Sequence, residues 1–334
     1  MAIPKAPFGP TAIADLRGRT EYEAWLLEAV YEMTDQPIAV ADLDELVYPP
    51  SGAPPTQANY GVFKATIGDW RPGFLEAGAP LVFVTGFKLL DMLFEWVLSE
   101  NGSVSTWQFA QKRAELKESV QFPTLIGSRA WLQERLVALY ERLEPLRGTI
   151  IHERYFKSTG GSLHVSSSKR GVVGSAITIS SMDLRNLALV LVSLVRYLEG
   201  TWAIDEFREK RLRHALDELA HLHGLASLGQ LPPSFLNVRI YVSESDPIQC
   251  NLGRISRDVA AKWPNQDVMF NLRVVSVASD GSCGTAYLIP WSQLRDPKLK
   301  KSAADLAPFV IALPSDLDLK ALARDLTKRG TVAP

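Results

Sequence analysis

Residues Leu143–Phe156 read LEPLRGTIIHERYF. They continue a stretch, RAWLQERLVALYERLEPL, in which Leu132, Leu136, Leu139, Leu143 and Leu146 recur at steps of three and four. That period belongs to an amphipathic helix. Ile150 extends the same stripe beyond Pro145, so the helix is expected to kink at the proline without ending there. Arg147 and His152 stand five positions apart across Gly148. On an α-helix that is roughly 140°, so the long arginine must reach round to meet the imidazole. A groove between two copies, each contributing one such pair, suits the spacing better.

On either side the chain is rich in helical periods. EYEAWLLEAVYEM, from Glu21, carries one apolar face, and KLLDMLFEWVLSENG, from Lys88, carries a wide stripe that stops at Asn101–Gly102. The proline-rich VYPPSGAPPTQANYG between them reads as a loop. After the opening stretch, SLHVS and SAITIS alternate with a period of two and read as a hairpin. Ser181 is a candidate N-cap for MDLRNLALVLVSLVRYLEG. DEFREKRLRHALDELAHLHG follows as another amphipathic helix, ending at Gly224. Past LGQLPPS the texture changes. Leu236, Val238, Ile240 and Val242, and then Val268, Phe270, Leu272 and Val274, alternate with polar residues as strands do. TAYLIPW and FVIAL read as shorter strands, and DLDLKALARDL as a last helix.

Composition narrows the function classes. The 334 residues are 46% hydrophobic and 22% charged, and 36 basic residues nearly balance 37 acidic ones, for a net charge of −1. That balance gives no global attraction to nucleic acid or to a membrane surface, so any polyanion site must be local. Cys250 and Cys283 form no CxxC pair, which fits a reducing cytoplasm. MAIPKAPFGP lacks a signal pattern, and no apolar run is long enough to span a membrane. No metal-ligand or cofactor motif stands out: His221 and His223 form an HxH on a helix, where residues two apart point to different sides. STGGS and DGSCG lack the lysine of a phosphate loop.

Arg147 and His152 carry the chemistry that remains. A histidine exchanges protons near neutral pH, and an arginine offers a fixed, planar fork to phosphate oxygens. Together they can cleave RNA without metal, the imidazole activating the ribose 2′-OH and the guanidinium neutralising charge at phosphorus. Arg208 and His214 repeat the spacing, but Glu206, Glu209, Lys210, Arg211 and Arg213 surround them, as on a solvated face.

YERLEPLRGTIIHERYF resembles the signature helix of HEPN domains, whose motif is an arginine, four to six residues, then a histidine, often written L-R-N-x-x-x-H. Leu146, Arg147, Ile150, Ile151 and His152 match it, and the likeness extends over roughly residues 80 to 225. The resemblance implies a helical bundle, a homodimer or HEPN-type heteromer, RNA as partner, no cofactor, and a metal-independent endoribonuclease of a defence or toxin system. It assigns Arg147 and His152 to catalysis, with Glu153 and Arg154 as supporting polar groups. Gly148 departs from the family, where that position is usually polar; catalytically inactive members serve as RNA- or protein-binding modules.

The resulting expectation is a mainly α chain. Residues 1–79 form a helical and loop region, 80–228 a HEPN-like bundle with a small hairpin, and 232–334 a separate α+β domain. On that last domain Arg239, Tyr241 and Arg273 are candidate RNA-binding residues, if the strand faces that carry them are exposed.

Overall fold

The structure, a computed structural model, describes residues 8–34, 43–49, 53–60, 71–103, 108–118, 120–153, 156–169 and 172–313. In chain order the elements are α1 (Pro10–Thr34), β1 (Leu43–Val47), β2 (Thr56–Tyr60), α2 (Arg71–Glu100), α3 (Phe109–Leu116), α4 (Thr124–Gly127) and α5 (Ala130–Gly148). A π-helical turn, Thr149–Glu153, continues α5. Then come β3 (Phe156–Thr159), β4 (Ser162–Lys169), β5 (Val172–Ile179), α6 (Ser181–Leu198), α7 (Glu206–Glu218), α8 (Ala220–His223), β6 (Pro233–Ser243), β7 (Ile248–Cys250), α9 (Leu252–Lys262), β8 (Asp267–Val277), β9 (Cys283–Ile289), β10 (Leu299–Lys301), α10 (Ala303–Leu306) and β11 (Val310–Ile311). They divide into two compact units: Met1–Pro37 with Ala65–Gln230, and Ile38–Lys64 with Leu231–Pro334.

In the first unit α1, α2 and α6 pack against one another, and α5 packs on α2. Trp96, Phe83, Phe87, Phe94 and Tyr140 are the largest fully buried side chains of its core. Trp96 satisfies its indole N–H on the carbonyl of Ala12 at 2.8 Å, tying α1 to α2. α6 is capped by Ser180, one residue before the serine expected from the sequence. The Ser180 hydroxyl accepts from the Asp183 N–H at 3.0 Å, and the Asp183 carboxylate accepts from the Ser180 N–H at 2.7 Å. Such a reciprocal cap satisfies two of the helix's orphan donors at once.

The three-stranded antiparallel sheet β3-β4-β5 docks on α2 where a proline has left a vacancy in the hydrogen-bond ladder. Pro80 has no N–H to give to the carbonyl of Glu76. The Ser158 hydroxyl of β3 donates to that carbonyl instead, and the Gly160 N–H donates to the Glu76 carboxylate at 3.2 Å. The turn between β3 and β4 uses Gly160 and Gly161 at positive φ. A Cβ on Gly161 would lie 3.2 Å from the Cβ of Leu75 and 3.3 Å from that of Ser181; on Gly160 it would meet nothing within 4 Å.

The second unit is built on a six-stranded mixed sheet of order β11-β9-β8-β6-β1-β2. β1, β6 and β8 run parallel, and α9 lies between β6 and β8 in the chain, forming a βαβ unit. Leu236, Val238, Ile240, Phe270, Leu272 and Val274 line one face, where Leu252, Ile255 and Val259 of α9 join them. β7 and β10 form a separate two-stranded sheet, and its Ile248, Cys250 and Leu299 join the same core.

A mainly α chain with an appended α+β domain is therefore the wrong description: this is an α/β chain. The alternation in β6 and β8 does announce strands, but alternation does not report whether neighbours run parallel. Residues 1–79 divide between the two units, α1 going to the first and β1–β2 to the second. TQANY, within the proline-rich stretch read as a loop, is β2, paired antiparallel with β1. It lies at the sheet's edge, where an apolar stripe is not required, so its sequence carried no strand signal. DLDLKALARDL lies outside the described residues.

Gly161→Ala adds both a forced left-handed backbone and two close contacts, whereas Gly160→Ala adds only the first. Chemical denaturation is expected to find Gly161→Ala less stable by about 2 kcal/mol or more, and Gly160→Ala by only about 1 kcal/mol.

Candidate functional site

The site is set by how α3 is held. Lys112 is 2% exposed. Its ammonium donates to both carboxylate oxygens of Asp91, at 2.8 and 3.1 Å, and to Glu95 at 2.5 Å, both on α2. Tyr140 of α5 donates its hydroxyl to the same Asp91, and its ring stacks on Phe87 with centroids 5.5 Å apart. Burial, reinforced by the bond to Asp91, pushes the Tyr140 phenol far above its ordinary range, so it stays protonated and keeps its proton for Asp91. Arg113 pairs with Glu144 at 2.9 Å and Lys117 with Glu141 at 2.6 Å, which ties α3 along α5.

Phe109, at the start of α3, touches the rings of Phe87 and Tyr140. The Lys112 ammonium lies 5.0 Å from its ring centre and the Arg147 guanidinium 5.5 Å from it. Arg147 is thus held by cation–π attraction at the end of α5.

His152 follows in the π-helical turn and is exposed, as is Ile151, while Ile150 is buried in the core. The Thr149 hydroxyl donates to the carbonyl of Pro145 at 3.1 Å, helping the chain through the change of pitch. A turn closed by i→i+5 bonds takes more residues per revolution than an α-turn. The π geometry therefore narrows the angle between Arg147 and His152 below the value for a regular helix. Among the described residues no hydrogen bond or ion pair joins the two side chains. A Cβ at Gly148 would meet nothing within 4 Å, so packing does not demand a glycine there. Arg154 lies outside the described residues, as does the side chain of Glu153.

The other histidines have different work. His223 is buried, accepting from the Leu225 N–H at Nδ1 (3.0 Å) and donating from Nε2 to the Leu216 carbonyl (2.9 Å). Burial lowers its pKa, which keeps the ring neutral. His221 lies 3.2 Å from the Asp183 carboxylate. His214 meets the Gln230 carbonyl at 3.2 Å, and Arg208 pairs with Asp205 at 2.8 Å, so each member of the second Arg–His match has a partner of its own.

In the second unit the register sets Arg239 opposite Arg273 and Tyr241 opposite Val275. Arg239 is 3% exposed, Tyr241 is buried and Arg273 is half-buried. The exposed face expected to read RNA bases is not formed. Strands paired in parallel are commonly covered on both sides, and here Tyr241, Val275, Val277 and Ala286 make a second apolar cluster on the same side as the arginines.

No known protein family, curated protein or solved structure matches the chain. Among the described residues no helix is long and apolar enough to cross a membrane.

Lys112 and Phe109 escaped the sequence reading because AQKRAEL looks like an ordinary charged helix face. Lys112→Met would leave two carboxylates beside a buried apolar surface without their ammonium. Breaking such a pair from one side is expected to cost about 3 kcal/mol, measurable by urea denaturation, with part recovered in Lys112→Met/Asp91→Asn.

Proposed function

We propose that Arg147 and His152 form a metal-independent endoribonuclease site of the HEPN type. The observation that carries the proposal is an exposed imidazole on a π-helical turn that directly continues the helix whose last turn holds Arg147. π-turns are rare and concentrate at functional sites. The resemblance to the HEPN motif supplies the reaction class.

In this reading RNA lies across the end of α5. His152 takes the proton of a ribose 2′-OH, whose oxygen then attacks the adjacent phosphorus. The bond from phosphorus to the 5′-oxygen breaks, leaving a 2′,3′-cyclic phosphate, and the departing oxygen takes a proton from an acid on its own side. In a symmetric pair of copies that acid is the equivalent histidine of the second copy. Arg147 holds a non-bridging oxygen and offsets the charge that builds on the phosphoryl group. The dimer, a cytoplasmic location and a role in defence belong to the same proposal.

A second reading is a catalytically silent RNA-binding module, and Gly148 favours it. The position following the arginine carries no polar side chain to organise a transition state, although there is room for one.

Cleavage of single-stranded RNA in EDTA tests the first reading. His152→Ala and Arg147→Ala are each expected to lower the rate by at least about a hundredfold, with the melting temperature of His152→Ala unchanged and Arg147→Ala still folded at the assay temperature, and His214→Ala to retain full activity. Strict dependence on added magnesium, or equal activity in the His152 and His214 variants, would overturn it. Under the second reading the wild-type chain binds RNA in a salt-dependent manner without cleaving it, and His152→Ala weakens that binding.

A further inference from the structure

A concave surface on the first unit, sharing no residue with the Arg147–His152 face, runs between α6 and its neighbours α1 and α7. Two adjoining cavities, of about 180 and 310 Å³, share Leu189, Ser193, Trp202 and Arg211. The floor is a strip of α6 with small and apolar side chains. Trp202, in the turn leading from α6 toward α7, stands at the rim with 39% of its surface exposed. Its ring is supported edge-on by Tyr197, with centroids 6.1 Å apart. An indole braced from one side and open on the other offers a surface on which a flat ring can stack.

Three arginines line this slot. Arg185 lines the smaller cavity, Arg208 the larger, and Arg211 both. Glu28 is the one carboxylate among the lining residues, and Arg196 covers it with two hydrogen bonds, at 3.0 and 2.8 Å. The ion pair of Arg208 with Asp205 is exposed on both sides, where such pairs contribute little and exchange readily for a better anion. Guanidinium forks are the side chains best suited to phosphate oxygens. The protein as a whole is nearly neutral, so this concentration of arginine is local.

An apolar slot, an open indole and guanidinium groups at the same opening fit a ligand with a flat aromatic body and a compact anion at one end. The larger cavity is at the lower bound of small-molecule sites. We propose that this groove binds a nucleoside monophosphate, with the base against Trp202 and the phosphate on Arg185 and Arg211. The same chemistry is offered by a free nucleotide and by the 5′-phosphorylated end of an RNA. The proposal stands on its own geometry and does not depend on the function of Arg147 and His152.

Titration calorimetry of the full-length chain with AMP, adenosine, inorganic phosphate and a 5′-phosphorylated pentaribonucleotide tests it, with His152→Ala as the background so that no RNA is consumed. AMP is expected to saturate in the micromolar to millimolar range, more tightly than adenosine or phosphate. Arg211→Gln and Arg185→Gln are each expected to weaken AMP at least about tenfold, while Trp202→Phe preserves most of the affinity and Trp202→Ala does not. Thermal melting of each variant separates loss of binding from loss of fold; if one arginine variant fails to fold, the other decides. Tighter binding of the RNA than of AMP names the RNA end as the source, and the reverse names the free nucleotide. Three results would each overturn the proposal: no saturation by either phosphorylated ligand, adenosine binding as tightly as AMP, or AMP affinity unchanged in both folded arginine variants.

Discussion

The first unit depends on one buried cation. Lys112 reaches from α3 into a pocket made by Asp91 and Glu95 of α2, and Tyr140 of α5 hydrogen-bonds to the same Asp91. Three helices thus meet at one carboxylate. Burying an ammonium is costly, and a buried pair often contributes less than well-packed hydrophobic side chains would. What it gives is position. An apolar contact between α2 and α3 tolerates small slides, whereas an ammonium shared by two carboxylates has few acceptable placements. Phe109 is fixed by that placement, and Arg147 is fixed by Phe109.

The end of α5 shows how proline and glycine shape a surface. Pro145 removes a donor and Gly148 loosens the backbone, yet the apolar stripe continues through Leu146 and Ile150. Burial keeps the chain helical where local propensity would end it, and the compromise is a wider π-turn. Ile150 remains in the core while Ile151 and His152 turn outward. An arginine anchored on an aromatic ring and a histidine free of other hydrogen-bonding duties among the described residues result from the same few positions.

Much of this architecture was legible in the sequence, because long periodic segments report their own structure. The helical stripes of α2, α5 and α6 and the alternation in β4, β6 and β8 needed only residue order. What depends on distant partners was not legible. Whether Arg239 and Tyr241 are covered depends on what lies over the strand, and alternation is the same in either case. TQANY became a strand because β1 offered it an edge. Glu76 and Ser158, 82 positions apart, meet because Pro80 leaves a carbonyl in need of a donor. The lysine in AQKRAEL resembles any surface lysine until α2 sets two carboxylates against it. Arg185, Trp202 and Arg211 come together only when α6 and α7 have packed.

The most direct measurement of whether the Arg147–His152 face meets RNA is an NMR titration of the histidine ring protons. The chain has five histidines, assignable by single substitution. His223, buried and hydrogen-bonded at both nitrogens, is an internal reference. With a non-cleavable 2′-O-methyl oligoribonucleotide in EDTA, His152 is expected to shift and broaden at concentrations that leave His223 unmoved. Saturation of the protein with RNA while His152 stays at its free position would contradict a role for this face in RNA recognition or cleavage.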